Sequence, residues 1–343
     1  MAEYLLPKQR VVGSNPITRS CSRFKVRKGD KEMEYGSGKH RYELVEPWAK
    51  LPEGESFVDV CGISIDSEDR IYVFNRSKRP MIVFDRDGNE VSSWGESLFK
   101  RPHGSCMTAD GHIYLTDDYS HVVYKFSKEG GLLMTIGNMD KPSDTGHRWG
   151  LDIFERISSI KRAAEPFNMP TGVAISSTGD IFVSDGYGNA RVHKFSADGK
   201  LLLSWGEPGP GKSQFRLPHN IWIDRADRVW IADRENHRVQ IFDSEGKFLD
   251  QWTDLLRPTH VYMDKDETVY ISELCRRISI FTIDGKLLAR WGNESHSLDE
   301  PLLVGPHVIC VDSRADLYVG EVAKSFGKID RGARVIQKFA RKA

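Results

Sequence analysis

One phrase recurs six times between Val60 and the end of the chain, and that repetition constrains the fold more than any other feature. Each copy opens with an apolar strand, usually entered through Pro-His or Pro-Thr. It continues through an Asp-Gly-like turn, a short aromatic strand, an acidic residue, a third strand and a second turn, and closes on a strand ending in Trp-Gly. A representative copy is LPHNIWIDRADRVWIADRENHRVQIFDSEGKFLDQWTD, and the six begin near residues 60, 101, 169, 217, 257 and 305. Copies of roughly 40 residues, each with four short strands between turn signals, are the pattern of a propeller blade, whose sheet buries both faces against its neighbours. The chain is therefore expected to be all-β, a six-bladed β-propeller spanning residues 41–343.

The sixth copy stops after its third strand, at Phe339, and leaves an edge that something must cover. The segment YELVEPW, Tyr42 to Trp48, has the same alternation and a terminal tryptophan, so it is expected to act as the N-terminal strand that completes blade six and closes the ring. Residues 1–40 are polar and lack the repeat, and they are read as a disordered arm or as a start assigned too far upstream of Met33. The long insertion at 139–168 places Leu151, Phe154, Ile157, Ile160 and Ala164 at helical spacing, which predicts a short amphipathic helix serving as a lid or as a packing elaboration.

Lysine plus arginine and aspartate plus glutamate balance at 49 each, so no basic field exists to hold nucleic acid or an anionic membrane. No apolar stretch near the N-terminus suits a secretory signal, and no run is long enough to span a bilayer. Five cysteines, Cys21, Cys61, Cys106, Cys275 and Cys310, lack CxxC spacing, and three sit in strand-like runs. An odd, unpatterned set suits a reducing compartment, and a cytoplasmic location is expected.

Aligning the copies brings one position into register as Cys61, His103, Thr171, His219, Thr259 and His307. A single Pro-His does no more than start an inner strand. Histidine on alternate blades is different, because blades about 60° apart then place three imidazoles about 120° apart at one height in the channel. That arrangement fits a metal with open positions, as in catalytic zinc. His112, His121, His147, His193, His237, His260 and His296 fall out of register and are read as non-ligands. A second column, at the end of each second strand, reads Arg76, Asp118, Gly186, Arg234, Leu274 and Val322, with Tyr119 and Tyr187 one step later. Antiparallel pairing puts both columns on one face of the ring, so Arg76, Arg234 and Tyr187 converge toward the histidines. Asp185, Asn189, Asp233 and Asn236 recur between copies and read as turn and cap residues.

The Asp-Asn-Arg sets Asp185, Asn189, Arg191 and Asp233, Asn236, Arg238 resemble the NHL repeat, over residues 60–342. At RPHG, FVSDGYGNAR, LPHN, IADRENHR and GPHV the chain is also similar to the peptidyl-α-hydroxyglycine α-amidating lyases, six-bladed propellers that cleave a carbinolamide to an amide and glyoxylate. That resemblance implies zinc on His103, His219 and His307, with Tyr187 as base, Arg234 binding and polarising substrate, and Arg76 as a second cationic contact. A metal and an arginine beside a phenol favour its ionised form. Three positions depart from the family. Val308 stands where an aspartate helps to hold calcium, Gly305 replaces a methionine, and Gly188 follows Tyr187 in place of a disulfide cysteine. Calcium is accordingly not expected. With no monooxygenase domain in these 343 residues, the expected partner is a small-molecule or short peptide-like substrate carrying a carboxylate, down to an N-acyl or N-carbamoyl carbinolamine. A metal-dependent hydrolase or lactonase, and a non-catalytic NHL scaffold for protein or RNA, are the alternatives. The absence of Asp and Glu from the inner column disfavours the first, and the charge balance disfavours RNA.

Overall fold

The computed structural model describes residues 33–150, 152–292 and 301–342. Six antiparallel sheets follow one another around a ring, five with four strands and one with five, and together they form a six-bladed β-propeller. The inner strands are Val60–Ile65, Pro102–Met107, Pro170–Ile175, Pro218–Ile223, Pro258–Met263 and Pro306–Val311. Every second strand is buried throughout, as in Ile71–Asn75 and Leu317–Glu321, because both of its faces meet a neighbouring blade. Each of the six seams holds its own apolar cluster; Ile71, Phe84, Val308 and Tyr318 lie between blades one and six.

The acidic residue of the repeat anchors the entry to each inner strand. Asp117 accepts from the backbone N–H groups of Lys100 and Arg101, Asp185 from Asn168, Asp233 from Arg216, Glu273 from Leu256 and Glu321 from Val304. Blade one departs from this, with Asn75 in that position. Asn189 and Asn236 in turn donate to Asp185 and Asp233 at 2.8 and 2.7 Å, which accounts for the recurring Asp-Asn pairs as structural.

The ring closes through the segment preceding blade one. Strand His40–Val45 pairs antiparallel with Ile336–Arg341, setting Tyr42 opposite Arg341 and Leu44 opposite Phe339. Trp48 then enters the seam between blades six and one, where its ring lies 5.1 Å from Tyr318 and 5.5 Å from Phe84 and its N–H donates to the Arg86 carbonyl. Of the arm expected over residues 1–40, residues 1–32 lie outside the described residues. The remainder is no arm: Glu34–Ser37 forms a fifth strand on blade six, with Tyr35 edge-on to Phe339 at 5.5 Å. In the insertion the helix covers Ile153–Ser159, shorter than the spacing of 151–164 suggested. Asp152 and Glu155 form a capping box at its start, Ile160 is its C-cap, and Leu151 lies outside the described residues.

Candidate metal centre

In all six blades the pairing of the first two strands slips just after the opening residue, for example between Pro218 and Asn220. The slip spans the aligned column of Cys61, His103, Thr171, His219, Thr259 and His307, and a bulge of this kind re-aims the side chain it carries. Three imidazoles from alternate blades meet in the channel, with ring centroids 4.7 to 4.9 Å apart. Their ligand atoms all lie within 4.8 Å of one another, and the three residues are 1 to 3% exposed.

The intervening blades hold these rings in place. The Nδ1–H of His103 donates to the Thr171 carbonyl at 2.6 Å, that of His219 to Thr259 at 2.7 Å and that of His307 to Cys61 at 3.1 Å. With Nδ1 committed as donor, Nε2 keeps its lone pair for the channel. The same intervening blades also bind the carbonyl before each histidine: the Thr171 hydroxyl donates to Pro218, Thr259 to Pro306, and in blade one, which has Cys61 at this position, Arg76 Nε donates to Pro102. A belt of hydrogen bonds thus runs around the ring through all six blades. Burial, followed by the positive charge of neighbouring groups, holds all three imidazoles well below the ordinary histidine range, so they remain neutral. Neutral imidazoles that keep an Nε2 lone pair, and a buried His307 Nε2 with no hydrogen-bond partner among the described residues, fit a bound metal ion.

Tyr187, Arg234 and Arg76 lie around this cluster. The Tyr187 hydroxyl is 3.3 Å from His103 Nε2, 3.2 Å from His219 Nε2 and 3.3 Å from Arg234 Nη1. Glu235 orients Arg234 from behind at 2.7 Å, and Arg257 shares that carboxylate. Arg76 pairs with Asp59 at 3.3 Å, leaving its buried Nη2 without a hydrogen-bond partner among the described residues. Cys61, Leu274 and Val322, from the same two aligned columns, form a small apolar cluster. The insertion reaches the same face: Ile153 and Ile157 pack on Met169, Tyr187 and Leu217, and Arg257 lies over the exposed ring of Phe154.

Two residues here were not singled out from the sequence. Arg101, just before Pro102, lies over both Tyr187 and Tyr119, at 5.1 and 4.6 Å from the ring centroids, and pairs with the fully buried Asp118 at 3.3 Å. Asp118 stands in the same column as Arg76 and Arg234, which was its only signal. The other described histidines serve elsewhere: His121 and His237 accept backbone N–H groups, His193 bonds Ser204 and His112 bonds Asp110. His147 takes the Nε–H of Arg156, while His260, pushed down to about 3 by burial, lines a cavity farther along the channel. His296 lies outside the described residues.

Fold and site together define an NHL-repeat six-bladed propeller with three buried histidines able to hold a metal ion at the centre of one face. The NHL repeat model matches residues 167–195 and 215–242. Among known proteins the chain is similar to the rat peptidylglycine alpha-amidating monooxygenase, at 31% identity over 59% of this chain and 24% of the rat protein. It is also 31% identical to peptidyl-alpha-hydroxyglycine alpha-amidating lyase 2 of Drosophila melanogaster, over 57% of this chain and 50% of that one. Human NHL repeat-containing protein 3 is 26% identical over 94% of this chain and 90% of its own length. The matched segment thus spans about a quarter of the rat protein and half of the fly lyase. Among solved structures, virginiamycin B lyase from Staphylococcus aureus shares the fold, with a TM-score of 0.55 at 15% identity over 88% of this chain and 89% of that one. The four described cysteines are free, and among the described residues no helix is long and apolar enough to cross a membrane.

Proposed function

We propose that this protein is a zinc-dependent carbon–nitrogen lyase that cleaves an α-hydroxyglycine-type carbinolamide, R–CO–NH–CH(OH)–COO⁻, to an amide and glyoxylate or another carbonyl product. The observation that carries the reading is the Tyr187 hydroxyl, set 3.2 to 3.3 Å from Nε2 of two neutral, channel-facing histidines and from Arg234. Similarity to the Drosophila peptidyl-alpha-hydroxyglycine alpha-amidating lyase 2 supports it.

His103, His219 and His307 would hold the ion through Nε2. Zinc bound there would supply Lewis-acid polarisation of the substrate's hydroxyl. Tyr187 accepts the hydroxyl proton, and the C–N bond breaks as the carbonyl forms. Arg234, fixed by Glu235, donates to the Tyr187 oxygen and stabilises negative charge on it. The unpartnered Nη2 of Arg76 suits the substrate carboxylate. Cys61, Leu274 and Val322, aligned with the histidine and arginine columns, form an apolar cluster and favour a small apolar group. Free cysteines and balanced charge support a cytoplasmic protein acting on a small or short peptide-like substrate rather than on nucleic acid or membrane.

Elemental mass spectrometry of the purified protein and of His219→Ala tests the metal, and glyoxylate release from N-benzoyl-α-hydroxyglycine tests the chemistry. About one zinc per chain, lost in the variant together with activity, is expected. Wild type without metal or turnover would leave a scaffold role, in keeping with the full-length similarity to NHL repeat-containing protein 3.

A further inference from the structure

Asp118 is fully buried, yet neither of its carboxylate oxygens has a hydrogen-bond partner among the described residues. Arg101 is its ion-pair partner, with Nη1 3.3 Å from Oδ2 without hydrogen-bond geometry. Arg101 in turn lies over the Tyr187 ring, so one guanidinium links Asp118 to the tyrosine beside the histidines. Arg76 and Arg156 add positive charge to its surroundings, and Asp117 adds negative charge. Burial dominates these effects and pushes the Asp118 carboxyl up to about 6, so a proton is available on it close to neutrality.

The other acids around the site are committed. Asp117 accepts from the Lys100, Arg101 and Ser120 backbones and from the Ser120 hydroxyl. Asp59 accepts from the Lys324 and Ser325 backbones and from Arg76, and Glu235 is held by Arg234 and Arg257. Arginines keep their protons. Cleavage of an unactivated amide from carbon creates a strongly basic nitrogen that must be protonated as it leaves, and Tyr187 is already engaged with the hydroxyl.

Resting on the lyase reading above, we propose that Asp118 is a further catalytic residue, the acid that contacts the departing nitrogen of the substrate and protonates it. The step balances without a co-reactant. The hydroxyl proton passes to Tyr187, the oxygen lone pair forms the C=O bond, the C–N electron pair goes to nitrogen, and nitrogen takes the Asp118 proton. The products are a neutral amide and an aldehyde acid, and Asp118 and Tyr187 exchange protons with solvent before the next turnover. The ligand class is then an acid whose α-carbon bears both a hydroxyl, toward Tyr187, and an acylated nitrogen, toward Asp118, with its carboxylate on Arg76.

The test compares zinc-loaded wild type with Asp118→Asn on N-acyl-α-hydroxyglycines whose departing amides span acidity from acetamide to trifluoroacetamide. For the acetyl substrate the variant is expected to lose about 100-fold or more in kcat/KM. For the trifluoroacetyl substrate, whose amide leaves without help, the loss shrinks to a few-fold, with zinc content unchanged. Equal losses along the whole series would overturn the assignment in favour of a structural role, as would a variant as active as wild type. Wild type inactive toward every member, despite bound zinc, would instead overturn the lyase reading and the acid with it.

Discussion

Replacing Thr259 with valine removes one hydroxyl and almost no volume, and it tests whether the belt around the channel positions the histidines. Thr259 is fully buried, and its Oγ1 lies 2.9 Å from the Pro306 carbonyl, the Ser272 carbonyl and the Ser272 hydroxyl. Its own carbonyl still accepts His219 Nδ1–H, so the substitution leaves that imidazole's partner in place. The Pro306 carbonyl loses a donor in a dry interior, and the Ser272 hydroxyl loses a partner. Buried polar groups left unpaired cost about 1 to 3 kcal/mol each, so apo protein is expected to lose about 2 to 6 kcal/mol. Because Pro306 immediately precedes His307, loosening it should disorder that ligand and weaken metal binding by about 10- to 100-fold. Urea unfolding of chelator-treated protein reads the first quantity, and competition against a chromophoric chelator reads the second, with Thr259→Ser expected to restore both. A variant that unfolds more easily but binds zinc as tightly as wild type would refute the idea that this hydroxyl orients His307.

Gly186→Ala should damage the same site from another side, since a Cβ there would lie 2.2 Å from the Pro218 carbonyl oxygen; loss of zinc by elemental analysis is the expected result, and full occupancy would contradict it. Asp118 gives a stability prediction whose sign runs opposite to most carboxylates. Its folded pKa, about 6, lies above the ordinary value of 3.8, so between these values the folded state binds more protons and stability falls as pH rises. Asp118→Asn is therefore expected to be more stable than wild type at pH 8, by up to about 3 kcal/mol, with the gap closing near pH 4 in paired denaturation curves. Tyr42→Ala should destabilise the closed ring by about 3 kcal/mol or more while leaving zinc affinity unchanged in calorimetric titration, because Tyr42 is fully buried against Trp291 and Arg341, far along the chain and the blade from the channel.

The period of the Trp-Gly and Pro-His phrases made the blades legible, because a propeller repeats its burial pattern along with its sequence. Ring closure was legible for the same reason: Tyr42 to Trp48 reads as the strand the sixth copy lacks, and the pairing of Leu44 with Phe339 follows. Glu34–Ser37 was not, since a fifth strand at the outer edge of a blade has no counterpart in the other copies. The histidine column could be read because register alone fixes it. Asp118 could not be separated from its column neighbours, because its character comes from complete burial and from Arg101, a residue placed by the loop before blade two. The helix of the insertion is shorter than its apolar spacing because the chain turns into an extended conformation at Ile160.

The clasp between His40–Val45 and Ile336–Arg341 also sets an order of events during synthesis. One half of it precedes blade one and the other is the last strand of blade six, so the five blades between them are made before the circle can shut. His307 belongs to the inner strand of the blade that the clasp completes, and His103 and His219 are in place long before it. In synthesis from the N-terminus, His307 is therefore the last of the three ligands to be made and comes with the final blade. Metal capture becomes a report on a finished molecule: a chain cut short before residue 307 keeps the strands of five blades but lacks the ligand that completes the centre.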